Sequence, residues 1–187
     1  MRKIILVTGG QRSGKSVYAE RLALSLSAAP VYIATAHVWD DEFAERVRRH
    51  KQRRGPQWEN IEEEKRLSRY CIEGRVAVID CVTLWCTNFF FERDGGERQP
   101  TVDEALAEMK KEFDRFVSQD ATFIFVTNEI GSGEVSGNAV QRRFTDLQGW
   151  MNQYVAARAD EVVLMVCGIP VHVKGGGAAG RAVSDTL

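Results

Sequence analysis

The sequence predicts an α/β fold in which a mostly parallel central sheet carries helices on both faces. Two observations support this prediction. Five short apolar runs rich in β-branched residues recur along the 187 residues, and helical patterns lie between most of them. A glycine-rich turn joins the first run directly to a helical pattern. The length and the 44% hydrophobic content suffice for one domain with a sizeable core.

The predicted strands follow the apolar runs in chain order. They cover residues 4–7, 31–34, 76–80, 123–127 and 161–166. A sixth short run, residues 171–174, comes closely after Gly168 and Pro170. We expect it to form a hairpin with the fifth strand at the edge of the sheet.

The predicted helices have recognisable ends. The helical patterns between the strands cover residues 17–26, 105–117 and 139–157. Thr101 and Glu104 have the spacing of a capping box before the second of these helices. A further helix is predicted to begin at Asp40 and Asp41 and to end in basic residues, a charge order that matches the helix macrodipole.

We expect residues 1–174 to form a single domain that includes a charged surface loop at residues 92–100. Residues 175–187 are glycine-rich and then polar, so they cannot bury much apolar surface. They are predicted to form a flexible C-terminal tail.

The composition argues against several classes of protein. With 25 basic and 26 acidic residues the formal charge is −1, which gives no general attraction to nucleic acid. The apolar stretches are well short of the ~20 residues that span a bilayer, and the chain does not open with a signal-peptide pattern. We therefore expect a cytoplasmic protein with no nucleic-acid partner and no membrane span. The four cysteines are scattered, which favours free thiols over disulfides or zinc.

The turn after the first strand has the spacing of a phosphate-binding loop, Gly9-x-x-x-x-Gly14-Lys15-Ser16. Its glycines allow successive backbone N–H groups to face an anion, Lys15 can reach the outer phosphates, and Ser16 offers a hydroxyl to Mg²⁺. The loop predicts binding of a nucleoside triphosphate. The predicted contacts are Gly9, Gly10, Gln11, Arg12, Ser13, Gly14, Lys15 and Ser16.

Asp80 ends an apolar strand, as a second residue on the Mg²⁺ side of such a site would. The alternative is that Asp80 only caps the helix that begins near Thr83. Asn128 and Glu129 follow another predicted strand, at the sheet edge where ligands bind in open α/β folds. They are therefore candidate site residues. The alternative is that they are turn and cap residues with no role in a site.

His50 is the histidine with the most suggestive surroundings. Taken alone, its position near a helix end is typical of a packed side chain or a dipole partner. Its basic neighbours disfavour a protonated imidazole and attract phosphate, so a neutral His50 could act as base or nucleophile. These neighbours are Arg48, Arg49, Lys51, Arg53 and Arg54. Trp58, beside a Gly-Pro turn, could stack on a ligand ring.

Several blocks together resemble the bifunctional adenosylcobinamide kinase / adenosylcobinamide-phosphate guanylyltransferase family of cobalamin biosynthesis. The resemblance covers most of the chain in order and spacing. The blocks are residues 8–16, 32–35, 40–42, 50–54 with Trp58, 79–85 with Thr87 and Asn88, 126–131, 152–153 and 159–162. The chain departs from the family pattern after Gly133 and at Thr145.

The resemblance implies a P-loop NTPase fold of the RecA-like type and two reactions. ATP or GTP phosphorylates adenosylcobinamide; then GTP guanylylates a histidine, which passes GMP to adenosylcobinamide phosphate. It implies catalytic roles for His50 and Lys15, Mg²⁺ at Ser16 and Asp80, and a homo-oligomer, with relatives resembling trimers. The base and ribose contacts it implies are Ala34, Thr35, Ala36, Lys51, Gln52, Arg53, Arg54 and Glu62, with Asp80 also in the nucleotide site.

Two other functions fit the phosphate loop. One is a small-molecule kinase without guanylyl transfer. The other is a non-catalytic GTP-binding switch, although the chain lacks the Asn-Lys-x-Asp motif by which such switches read guanine.

Overall fold

The computed structural model describes residues 1–37, 44–45, 48, 52, 54–91 and 99–175. The strands are β1 (Lys3–Gly9), β2 (Val31–Ala34), β3 (Glu59–Glu62), β4 (Val76–Asp80), β5 (Thr122–Val126), β6 (Glu161–Val166) and β7 (Ile169–Lys174). The helices are α1 (Lys15–Leu26), α2 (Val82–Phe90), α3 (Val102–Phe116) and α4 (Ala139–Arg158), with a short 3₁₀ turn at Leu67–Arg69.

Within these residues the strands form one sheet in the order β3-β2-β4-β5-β1-β6-β7. Every pairing is parallel except the β6–β7 hairpin. This confirms the predicted α/β fold and the predicted edge hairpin. The strand β3 was not predicted, because it is a polar edge strand in which only Ile61 is partly buried.

Helices cover both faces of the sheet, as predicted. One core packs β-strand residues such as Ile33 and Phe125 against α2, α3 and α4. The other packs alternate strand residues, including Val7 and Ile124, against Leu22 and its neighbours on α1. Because successive side chains point to opposite faces, strands covered on both sides must be apolar throughout, which explains the continuous apolar runs.

The strand order determines which loops meet. Strand β1 lies between β5 and β6, and β5 separates β1 from β4. Since these strands are parallel, the segments that follow them emerge at the same edge of the sheet. The glycine loop after β1, Asp80 at the end of β4 and the segment after β5 therefore share one edge.

Some predictions fall partly outside the described residues. Of the helix predicted to begin at Asp40, residues 44–45, 48 and 52 are described and are helical. The predicted tail lies outside them except for Gly175. No helix in the described part of the chain is long and apolar enough to cross a membrane.

The capping box predicted before α3 is present. The Thr101 hydroxyl accepts a hydrogen bond from the Glu104 N–H, and the Glu104 carboxylate accepts one from the Thr101 N–H. We expect Thr101→Ala to lower the free energy of unfolding by about 1 kcal/mol in urea denaturation, because the Glu104 N–H at the helix start loses its acceptor. Thr101→Ser keeps the cap and should retain most of the stability. Equal losses in the two variants would contradict this account.

Candidate active site

The glycine loop links β1 to α1 through backbone conformations that suit glycine. Gly9 has φ 146°, and Gly14, the residue that precedes α1, has φ 95°. A Cβ atom on Gly9 would lie 2.6 Å from the Met165 carbonyl oxygen. Gly14 provides no side-chain cap for the helix, so the first-turn N–H groups are open to an anion.

Lys15 is buried at the start of α1, and its Nζ donates to the Gly10 carbonyl at 2.6 Å across the loop. Burial lowers the pKa of Lys15, while the nearby Cys81 and Asp80 act in the opposite direction.

Asp80 is held by Tyr32 and does not cap the following helix. The Tyr32 hydroxyl donates to Asp80 Oδ2 at 2.7 Å, and burial together with Asp80 raises the Tyr32 pKa well above its usual value. The residue that caps α2 is Cys81, whose sulfur accepts from the Leu84 N–H. Burial raises the pKa of the Cys81 thiol to about 12, so the cap is uncharged at neutral pH.

The ends of β2, β3 and β4 bring three predicted residues into one row. Ala34 is paired with Asp80 on one side and with Glu62 on the other. The next residue, Thr35, is buried, and its hydroxyl both donates to the Cys81 carbonyl and accepts from the Cys81 N–H. Ala36 follows, half-buried. Thr35 thus ties the end of β2 to the start of α2.

Arg54 lies inside the protein. Its guanidinium lies 3.6 Å from the centre of the Tyr32 ring, donates to Asn60 and is 3.8 Å from Glu20 of α1. Trp58 is also buried and packs edge-on against Tyr32, so the structure uses its ring as core and not as an exposed ligand platform.

The rest of the predicted basic segment is only partly described. Gln52 is exposed, and Arg48 forms an ion pair with Glu45. His50, Lys51 and Arg53 lie outside the described residues.

A buried polar network holds the segment that follows β5. Gln148 of α4 donates to the Asn128 carbonyl at 2.5 Å and to the Thr127 hydroxyl at 3.2 Å. Thr127 donates to Asn152, and the Thr83 hydroxyl accepts from the Asn128 N–H. The network places Asn128 and the exposed Glu129 at the same edge as Asp80.

The roles of Gln148 and Thr83 in this polar network were not predicted from the sequence. The available signal was the pair of polar residues Gln148 and Asn152, four positions apart on the helix stripe that also carries Leu147 and Met151.

A family model and three known proteins that resemble this chain all point to the same family. Residues 5–173 match the family model described as cobinamide kinase / cobinamide phosphate guanyltransferase. The bifunctional adenosylcobalamin biosynthesis protein CobP of Pseudomonas aeruginosa is 39% identical over 183 residues, which cover 94% of this chain and 98% of that protein. The CobU proteins of the same description from Escherichia coli and Salmonella typhimurium are 37% and 38% identical, each covering 91% of this chain and 99% of the relative.

The polar network should be important for stability. We expect Gln148→Met to lower the free energy of unfolding by on the order of 2 kcal/mol, because buried oxygens lose their donor. Gln153→Met, the same change at an exposed position of the same helix, is the control and should cost less than about 0.5 kcal/mol. Chemical denaturation measures both. A Gln148 variant as stable as the control would show that the network contributes nothing measurable.

Proposed function

We propose that this chain, which belongs to the cobinamide kinase / cobinamide phosphate guanyltransferase family, uses one phosphate loop for both the kinase reaction and the guanylyl transfer. The chain is accordingly an enzyme of cobalamin biosynthesis that uses ATP or GTP on a corrinoid substrate. The match over residues 5–173 carries this conclusion. The loop alone would fit any enzyme that uses a nucleoside triphosphate.

In the kinase reaction, the hydroxyl oxygen of adenosylcobinamide attacks the γ-phosphorus of ATP or GTP. The bond from the γ-phosphorus to the β-phosphate oxygen breaks, ADP or GDP leaves, and the hydroxyl proton passes to solvent. The N–H groups at the start of α1 and the ammonium of Lys15 oppose the negative charge on the phosphates. The supporting observation is the uncapped helix start beside the buried Lys15.

In the second reaction, a ring nitrogen of His50 attacks the α-phosphorus of GTP and pyrophosphate leaves. A phosphate oxygen of adenosylcobinamide phosphate then attacks the guanylyl group, the P–N bond breaks, and adenosylcobinamide-GDP forms with free His50. The proposal for His50 rests on the family resemblance and on its basic neighbours in the sequence. The same loop would hold the β- and γ-phosphates as the leaving group.

Ser16 and Asp80 are proposed to hold Mg²⁺. The donor set fits, because a hydroxyl in the first turn of α1 and a carboxylate oriented by Tyr32 are both oxygen ligands, which Mg²⁺ prefers. When bound, the ion would supply positive charge to the phosphate oxygens.

The nucleoside is proposed to lie along the row formed by Ala34, Asp80 and Glu62, since these residues share one edge with the phosphate loop. We propose that Arg54 also belongs to the nucleotide site, because its guanidinium lies on the ring of Tyr32, whose hydroxyl bonds Asp80 of this row. We propose further that the enzyme acts in the cytoplasm as a homo-oligomer, which the family resemblance implies to be a trimer.

The covalent step can be tested with GTP labelled at the α-phosphate. The wild-type protein should release pyrophosphate and retain acid-labile label, and His50→Ala should lose the label because the attacking nitrogen is gone. His172→Ala is the control, since His172 lies on the edge strand β7, and it should label like wild type.

Two results would contradict the proposal. Equal labelling of the His50→Ala variant would exclude this histidine as the nucleophile. Phosphorylation of adenosylcobinamide without any pyrophosphate release from GTP in the presence of adenosylcobinamide phosphate would indicate a kinase that lacks the second activity.

A further inference from the structure

We infer that the turn of the β6–β7 hairpin is a positioning element for the phosphate loop, and that Gly168 is its key residue. The inference rests on the proposed function only in taking this loop as the nucleotide site. Two residues, Cys167 and Gly168, connect the strands, with φ 53° and φ 86°. Positive φ at both positions is typical of a type I′ hairpin turn, which suits the twist of an antiparallel pair.

The turn contacts the phosphate loop through a backbone hydrogen bond. The Gly168 N–H donates to the Ser13 carbonyl at 3.0 Å. Because the peptide unit between Ser13 and Gly14 is planar and trans, its carbonyl and its N–H point in opposite directions. Holding the Ser13 carbonyl towards the hairpin therefore directs the Gly14 N–H away from it. That N–H belongs to the set of loop amides that this motif uses for phosphate.

Two further contacts place the loop directly against the hairpin. A Cβ atom on Gly14 would lie 3.3 Å from the Gly168 Cα and 3.8 Å from the Met165 side chain. A Cβ atom on Gly9 would meet the Met165 carbonyl oxygen at 2.6 Å. Both ends of the loop are thus packed against β6 and its turn. A change in the turn should be transmitted to the phosphate-binding amides.

Gly168 and Gly74 form a matched pair for testing this role. Gly74 also has a positive φ, 71°, and its N–H also donates to a distant backbone carbonyl, that of Asp120. At both glycines, no other heavy atom lies within 4 Å of the position that a Cβ atom would take, so an added Cβ would act through backbone strain and not through a clash. Only Gly168 contacts the phosphate loop.

The experiment measures, by calorimetry and without corrinoid substrate, the dissociation constant of a GTP analogue whose α–β bridge cannot be cleaved, for the wild-type protein, Gly168→Val and Gly74→Val. Such an analogue can bind without guanylylating the protein. A β-branched residue resists positive φ, so both variants should lose thermal stability. We expect the dissociation constant to rise about tenfold or more for Gly168→Val and to stay within about twofold for Gly74→Val. If a valine variant does not fold, the alanine pair gives the same comparison with smaller shifts.

Amide hydrogen exchange supplies a second readout on the unmodified protein. Coupling between two sites is reciprocal, so binding of the same GTP analogue at the loop should slow exchange of the Gly168 N–H. Exchange of the Gly74 N–H should not change. This measurement needs no variant and detects the coupling even if the substitutions alter folding.

The outcomes separate this inference from the proposed function. Failure of the wild-type protein to bind either GTP or the analogue would overturn both. Normal binding of the analogue by both glycine variants, together with unchanged exchange at Gly168, would overturn the positioning role of the hairpin and leave the proposed function intact.

Discussion

The close packing of the glycine loop against β6 is the constraint on which the rest of the site depends. Gly9 and Gly14 approach β6 and its turn so closely that a side chain on Gly9 would collide with the Met165 carbonyl. This packing fixes where the loop turns into α1, and therefore where the first helix amides and Lys15 lie. A helix start in this position favours bound anions. In the proposed function, the loop would therefore set the location of the phosphates before any catalytic side chain acts.

A second set of contacts connects Arg54 to the end of β4 and to α1. Tyr32 is at its centre, because its hydroxyl bonds Asp80 while its ring carries the Arg54 guanidinium. Arg54 also approaches Glu20, which lies on the helix that begins at the phosphate loop. Arg54, which follows His50 by four positions in the sequence, is therefore linked through Tyr32 to the end of β4 and lies near α1. We regard this buried connection as the physical link between the parts of the site that serve the two proposed reactions.

The sequence predicted the parts of the molecule that local patterns determine. The buried parallel strands had to be apolar throughout, so their runs could be located in the sequence. The spacing of the phosphate loop predicts Gly9 to Ser16 as a nucleotide site, and that role stays a prediction. The strand β3 was missed because an edge strand with one partly buried residue carries no hydrophobic pattern. The burial of Arg54 and the bonding partners of Gln148 depend on residues distant in the chain. A local pattern could therefore mark Gln148 as a buried polar residue but could not show which groups it bonds. His50 lies outside the described residues, and its role stays a prediction.

The central claim is that one phosphate cradle serves both transfers. It can be tested by measuring how an ATP analogue with a non-hydrolysable β–γ bridge inhibits guanylylation of the protein by GTP. One shared cradle predicts competitive inhibition, with the same inhibition constant as against ATP in the kinase reaction. Noncompetitive inhibition of guanylylation, or two clearly different constants, would mean that the nucleotides bind at separate sites and would contradict the account.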